Sequence, residues 1–231
     1  NVAGGIVAAE GLLRWHDEKL GWVGPQEFIP VAEECGLIVE IGQWVLRQTC
    51  LLISQHLDWF AEGKLRYISI NISPRQFSQP HFVAQVLEII EEFTFPHSYL
   101  RLEITEGVAM ENINSAIYIM NALIVHELFF MLDDFGSGYS SLSYLHQLPL
   151  KSVKIDRSFV SKIDQNTDNQ VIVEAIIYIS QHFSLECVVE GLETSEEYTY
   201  FHEKDVAAIQ GFHFFKPLPR GAFVTLLSSL G

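Results

Sequence analysis

Seven apolar runs in the chain each end in a polar residue, drawn from very few types. Ile-Val-Ala-Ala ends in Glu10, Tyr-Ile-Ser-Ile in Asn71, and Leu-Arg-Leu in Glu103, with Thr105 and Glu106 just beyond. Phe-Phe-Met-Leu ends in Asp133 and Asp134, Ser-Val in Lys154, Leu-Glu-Cys-Val-Val in Glu190 with Glu193 three further on, and Val-Ala-Ala-Ile in Gln210. A set of carboxylates and amides without His or Cys suits Mg²⁺ or Mn²⁺ better than Zn²⁺. Adjacent Asp133 and Asp134 fit a two-metal arrangement, in which one carboxylate bridges cations about 3.5–4 Å apart. A lone acid after a strand is commonly a helix N-cap or a solvated turn residue, and Asp-Asp-Phe-Gly alone could be an ordinary turn. The weight lies in the consistency of the seven termini. The segment after them, Phe135-Gly136-Ser137-Gly138-Tyr139-Ser140-Ser141-Leu142, reads either as a flexible connection or as a gate whose closure orders the ligands and excludes water.

These residues need a scaffold that gathers strand ends. The predicted strands are Ile6–Leu12, Tyr67–Ile72, Leu100–Thr105, Phe129–Asp133, Ser152–Ile155, Leu185–Val189 and Val206–Ile209. Between them, apolar residues at three- and four-residue intervals predict helices over Ile41–Trp59, His81–Phe93, Ile113–His126, Asp168–Phe183 and Ser195–Glu203. Such alternation points to a parallel sheet with crossover helices, and about seven units favour a closed α/β barrel over an open sheet. In that fold the carboxyl ends of the strands meet on one face, which holds the active site. Four or more carboxylates converging there require compensating cations, because each unpaired buried charge costs several kcal/mol or so. Pro25, Pro30, Pro74, Pro80, Pro149, Pro217 and Pro219 are expected between elements.

Composition narrows the function classes. The chain has 231 residues, 48% of them hydrophobic and 19% charged, which excludes a disordered or fibrous protein. Its formal charge of −15 argues against binding polymeric nucleic acid, whose affinity comes from Lys and Arg, but not against a small phosphorylated ligand held through metal. Cys35, Cys50 and Cys187 have no metal-site or disulfide spacing and are expected to be inert core thiols in a reducing compartment. The nine His are scattered without an HxxxH or HxH cluster, and Phe28, Trp44, Trp59 and Phe60 read as core. No apolar run reaches about 18 residues, so no membrane contact by this domain is expected. Residue 1 is Asn and the first Met is Met110, which suggests a piece of a longer polypeptide.

The chain resembles the EAL-domain family of bacterial cyclic di-GMP phosphodiesterases. The resemblance is carried by Glu10-Gly11-Leu12-Leu13-Arg14-Trp15, the stretch Pro25 to Ile38, Asn71-Ile72-Ser73-Pro74-Arg75-Gln76-Phe77 and Glu103-Ile104-Thr105-Glu106. It continues through Asp133 to Leu142, Val153-Lys154-Ile155-Asp156, Glu190-Gly191-Leu192-Glu193-Thr194 and the Gln210-Gly211…Lys216-Pro217 tail, and so covers essentially the whole chain. It implies a single EAL domain over 1–231 with a TIM-like (β/α)₈ barrel, N-terminally truncated so that the family's first strand is absent. It implies Glu10, Asn71, Glu103 and Asp133 as ligands of one metal, with Asp133 bridging to a second that Asp134 also holds. Lys154 would position a water, Glu190 would act as general base or second-site ligand, and Glu106 would fix the loop of Phe135, Gly136, Ser137 and Gly138 from behind. Arg14, Leu13, Asp156, Glu193, Gln210 and Pro217 would serve the substrate side, Arg14 contacting a phosphate.

The implied reaction opens cyclic di-GMP to linear pGpG with Mg²⁺ or Mn²⁺, Ca²⁺ being inhibitory. The alternatives are an idle cyclic di-GMP receptor and a dimerising module. Implied too are a cytoplasmic setting (including the cytoplasmic part of a membrane-anchored protein), a homodimer, and flanking sensor or GGDEF domains. Gly11 stands where the family has Ala, with little expected effect. Val189 stands where the family commonly has Ala, and slight crowding of the site is expected there.

Overall fold

The computed structural model describes residues 5–136 and 142–229. Among these the strands, in chain order, are β1 (Ala8–Gly11), β2 (Trp15–Asp17), β3 (Gly21–Val23), β4 (Tyr67–Asn71), β5 (Leu100–Thr105), β6 (Phe129–Phe135), β7 (Ser152–Ile155), β8 (Glu186–Val189) and β9 (Ala208–Ile209). Seven of them form one parallel sheet in the order β1-β4-β5-β6-β7-β8-β9, while β2 and β3 make a separate antiparallel hairpin. The sheet curls into a nearly closed TIM-like barrel flanked by helices. Its edge strands β1 and β9 share no ladder among the described residues, and side chains bridge the seam instead. Arg66 Nη2 donates to the Ala207 carbonyl at 3.1 Å and Gln210 Nε2 to Glu10 Oε2 at 2.7 Å.

Strand alternation divides the side chains cleanly. The ladder pairs Ala8 with Tyr67, Ser69 with Arg101, Glu103 with Met131, Ser152 with Glu186 and Val188 with Ala208, so one residue in two from every strand shares the inner face. The intervening Ile68, Ile70, Leu102, Ile104, Phe130, Leu132, Val153, Ile155, Cys187 and Val189 face the helices in one continuous core. The barrel interior is stratified. Tyr67, Met131, Val188 and Ala208 form a small apolar cluster, with Arg101, Ser152 and Glu186 at its amino-terminal end. The carboxyl ends of the strands carry the polar residues singled out above.

Several sequence expectations are corrected. Pro30 lies inside the helix Pro25–Cys35, not between elements, and Pro25 and Pro74 occupy first-turn positions of helices. First-turn Pro costs no hydrogen bond. Pro30 deprives only the carbonyl of exposed Gln26, which water can serve. The span expected as one helix over Ile41–Trp59 is two, Ile38–Gln55 and Leu57–Ala61, broken at His56. Trp44 is 57% exposed rather than core, and Cys35 is exposed, whereas Cys50 and Cys187 are buried. Val189 points into the outer core, because the pleat sends it away from Glu190, so it does not crowd the site. Strands β2 and β3 are too short to show a period. They are joined by a turn in which Asp17 Oδ1 accepts the N–H groups of Lys19 (2.8 Å) and Leu20 (3.0 Å).

The buried guanidinium of Arg101 stacks 3.6 Å over the Tyr67 ring and donates to Ser152 Oγ (3.2 Å) and to Glu186 Oε2 (2.7 Å). Burial raises the Glu186 carboxyl, but Arg101, with Lys151 and Arg66 behind it, outweighs burial and holds it below its ordinary value. A depressed carboxyl stabilises the fold fully above its unfolded pKa, about 4.3, and loses that contribution as pH falls through the folded value. Glu186→Gln is therefore expected to cost about 1–3 kcal/mol at pH 7, allowing for the carboxylate's partial screening by water. Urea titrations should show the gap between variant and parent closing as pH falls below the unfolded carboxyl value of about 4.3.

Candidate functional site

Every strand of the barrel contributes to one polar cluster at its mouth. Lys154, the third residue of β7, is 1% exposed and points along the barrel axis toward the carboxyl ends. Its ammonium contacts Glu103 and Glu190 directly and lies 3.3 Å from Asp133 Oδ1 and 3.7 Å from Glu10 Oε2. Two amides complete the ring. Asn71 Nδ2 donates to Glu10 Oε1 at 2.6 Å, and Gln210 Nε2 to Glu10 Oε2 at 2.7 Å.

Asp133 and Asp134 are consecutive, so a regular strand would send them to opposite faces. The β6–β7 register slips between Leu132 and Phe135, and Asp134 adopts a left-handed backbone with φ of 54°. This irregularity brings carboxylate oxygens of Asp133, Asp134 and Glu190 within 4.8 Å of one another. The strained conformation sits at the cluster, where the surrounding structure must hold it.

One ammonium cannot neutralise five carboxylates. Glu10, Glu103, Asp133, Asp134 and Glu190 against Lys154 leave a formal charge of 1 − 5 = −4. Burial pushes Glu103 up to about 7, Lys154 pulling it down while Glu10 and Asp133 add to the rise. Burial pushes Glu190 up to about 8 by the same balance, with Asp133 and Glu10 adding. Asp134 rises to about 6 through burial, the neighbouring Asp133 charge and a hydrogen bond with Asp156. Burial would lower the Lys154 pKa, yet Glu103, Glu10, Glu190 and Asp133 outweigh it and hold the ammonium firmly charged. Glu103 Oε1 is buried with no hydrogen-bond partner. Two divalent cations would cancel −4, and an orphaned carboxylate oxygen is a natural ligand for one of them. Oxygens of Glu10, Glu103 and Glu190, also within 4.8 Å of one another, offer a second cluster beside the Asp133–Asp134–Glu190 group. The donor set is all oxygen, which fits a hard cation.

The other residues singled out from the sequence lie at or beyond the carboxyl ends of the barrel strands. Asp156 caps the helix Arg157–Val160, accepting from Ser158 N at 2.9 Å, beside Asp134. Glu193 is exposed and pairs with Arg157 Nη2 at 2.8 Å. Glu106 is buried at the start of the helix Glu106–Glu111 that follows β5. Arg14 is exposed just beyond the end of β1, its Nη1 donating to the Leu13 carbonyl at 2.8 Å, and Leu13 is half-buried. Pro217 is exposed in the segment before the helix Arg220–Ser229. Phe135 is buried at the end of β6 and Gly136 turns away with φ of 96°, while Ser137 and Gly138 lie outside the described residues.

Gly11 is close-packed, since a Cβ there would stand 3.2 Å from Ile70 Cγ2. Strand-end spacing in the sequence does not single out Arg157 or Glu197. The signal for Glu197 was present as Thr194-x-x-Glu197, a capping box.

The sequence profile of the EAL domain matches residues 1–217. The chain belongs to the EAL domain family. Among its curated relatives, the bifunctional diguanylate cyclase/cyclic di-GMP phosphodiesterase MucR of Pseudomonas aeruginosa is 35% identical over 94% of this chain and 31% of that protein. The cyclic di-GMP phosphodiesterase PdeR of Escherichia coli is 33% identical over 95% of this chain and 33% of that protein. This EAL chain thus spans about a third of the length of these relatives. A solved structure described as the PaMucR phosphodiesterase in complex with c-di-GMP superposes with a TM-score of 0.87 at 34% identity, covering 93% of this chain and 86% of that one. Among the described residues of this EAL domain, no single helix is long and apolar enough to cross a membrane.

If Lys154 is the cation on which the ring depends, Lys154→Met should cost about 3–5 kcal/mol in EDTA, because the carboxylates lose their only buried counter-charge. Calorimetry should show added Mn²⁺ restoring more stability to the variant than to the parent. An unchanged melting temperature in EDTA would refute the dependence.

Proposed function

We propose that this domain hydrolyses cyclic di-GMP to linear pGpG in a reaction that depends on Mg²⁺ or Mn²⁺. The observation that carries this reading is the −4 ring at the barrel mouth, with its orphaned Glu103 oxygen and five converging carboxylates. The names of the relatives and of the c-di-GMP complex support the choice of substrate. The retention of every acidic position in the ring favours turnover over an idle receptor.

In this reading Glu10, Asn71, Glu103 and Asp133 would hold one cation, and Asp133 and Asp134 a second, with Glu190 within reach of both groups. Bound metal would supply the Lewis acidity that lowers the pKa of the attacking water and neutralises phosphoryl charge. Glu190 would take a proton from water as the water oxygen attacks phosphorus and the bond to the 3′ oxygen breaks, that oxygen taking up a proton from solvent. Lys154, gripped by Glu103 and Glu190, would keep the Glu190 carboxylate aimed and position the attacking water. Arg14 would bind a substrate phosphate, and Leu13, Asp156, Glu193, Gln210 and Pro217 would serve the substrate side. Glu106 would brace the loop that starts at Phe135 and Gly136, whose closure would exclude water.

The greater length of the relatives supports a domain that works beside others in a longer cytoplasmic or membrane-anchored protein. The exposed Tyr118 and Val125, on and just after the helix preceding β6, are suited to a homodimer contact.

The test is chromatography of products from purified protein, cyclic di-GMP and Mg²⁺ or Mn²⁺. pGpG is expected with either metal, with Ca²⁺ permitting binding but not release. Asp133→Asn should lower kcat more than ~100-fold, since even residues that merely orient a ligand cost 10–100-fold. Absence of pGpG with both metals would overturn the proposal.

A further inference from the structure

The loop that follows β8 carries Glu190 and must be held rigid for that carboxylate to meet Lys154. Its fastening is unusual. Glu197 lies on the helix Ser195–His202, seven residues beyond Glu190, and is 4% exposed although charged. Its Oε2 accepts the backbone N–H groups of Glu193 (2.8 Å) and Thr194 (3.1 Å), while Oε1 accepts that of Lys162 (2.9 Å). In return Glu197 N donates to Thr194 Oγ1 at 3.2 Å. A capping box needs only one of these side-chain bonds, the one to Thr194 N. The bond to Lys162 reaches a different loop, the one after β7, and Lys162 takes a left-handed backbone, φ 57°, where it is made. Burial opposes the Glu197 charge, but the N–H groups of Glu193, Lys162 and Thr194 outweigh it and hold the carboxyl below its ordinary value.

The same two loops are locked by packing. Gly191, directly after Glu190, has φ of 70°, and a Cβ there would stand 2.4 Å from Arg157 Cγ. The Arg157 guanidinium bridges onward to Glu193. On the other side, a Cβ on Gly211 would fall 1.9 Å from the Leu192 carbonyl oxygen, and Leu192 N donates to the Gln210 carbonyl at 3.1 Å. The Glu190 loop is therefore clasped from both neighbouring strands, and Glu197 is the one charged, buried member of that clasp.

We propose that Glu197 is a positioning residue: by holding the Glu193, Thr194 and Lys162 amides together it fixes Glu190 against Lys154 and the carboxylates around it. The inference rests on the metal-site reading given above. It predicts that loss of Glu197 acts on metal affinity and on turnover, and leaves affinity for the substrate largely alone.

The experiment compares Glu197→Ala, Glu197→Gln and Asn112→Ala with the parent chain, measuring Mn²⁺ binding by calorimetry, melting temperature, and kcat and KM for cyclic di-GMP. Asn112 caps the helix Ile113–Ile124 by accepting Ser115 N, so its loss is a matched helix-cap defect away from the loop. Glu197→Ala is expected to weaken Mn²⁺ binding and lower kcat at saturating metal by roughly 10–100-fold, with KM changed less than about twofold. Glu197→Gln keeps one acceptor oxygen and is expected to recover part of both losses. Asn112→Ala should lower the melting temperature and leave Mn²⁺ affinity and kcat as they are. Mn²⁺ affinity and kcat within about twofold of the parent in Glu197→Ala would overturn the proposal, and so would an equal fall in Asn112→Ala. A parent that binds Mn²⁺ but releases no pGpG refutes the phosphodiesterase reading alone, and the Mn²⁺ arm still decides the role of Glu197. A parent that binds no Mn²⁺ refutes both.

Discussion

Like charges brought together inside a protein set the terms on which everything around them must be arranged. At the mouth of this barrel, Lys154 is the only ammonium among Glu10, Glu103, Asp133 and Glu190, and it is as buried as the apolar core. Its carboxylate partners come from β1, β5, β6 and the end of β8, so no two adjacent elements could assemble the ring alone. The parallel ladder that sets which residues face inward is thus also what makes the electrostatics possible. A one-residue slip in any strand would send its acid to the outer core, where no cation waits.

The interior is built to keep that ring apart from the opposite end of the barrel. Tyr67, Met131, Val188 and Ala208 form an apolar layer between the Lys154 cluster and the Arg101–Glu186 pair. The two polar ends solve the same problem differently. Arg101 and Glu186 are matched one to one, and Glu186 is held below its ordinary pKa. The upper ring is deliberately over-supplied with acid, and Glu103 and Glu190 are pushed up. A balanced pair serves stability, and an unbalanced ring of carboxylate oxygens could hold a cation.

Much of this is legible in the sequence. The seven parallel strands lie where short apolar runs end in acid, amide or Lys, because a strand buried on both faces must be apolar until it emerges at the barrel mouth. Glu10, Asn71, Glu103, Asp133, Lys154, Glu190 and Gln210 meet as expected of strand termini. What was hidden depended on side-chain reach or on backbone exceptions. The left-handed Asp134 follows from a register slip that no periodicity encodes. The hairpin of β2 and β3 is only three residues per strand, and Pro30 in a helix violates the usual rule at a solvated position where the violation is cheap. Glu197 carried a local signature, its capping box, but its bond to Lys162 spans two loops and could be seen only in three dimensions.

The seam between β1 and β9 has a consequence for how the protein comes into being. Glu10 and Gln210 are 200 positions apart, yet their hydrogen bond is among the few contacts that draw the sheet's two edges together. During synthesis the first metal-ligand candidate leaves the ribosome long before the strand that flanks it. Until Gln210 emerges, the Glu10 carboxylate lacks the amide that pairs with it across the seam. The mouth of the barrel is completed only when Gln210 has emerged, so a chain interrupted before about residue 210 holds most of the hydrophobic core and not the finished ring.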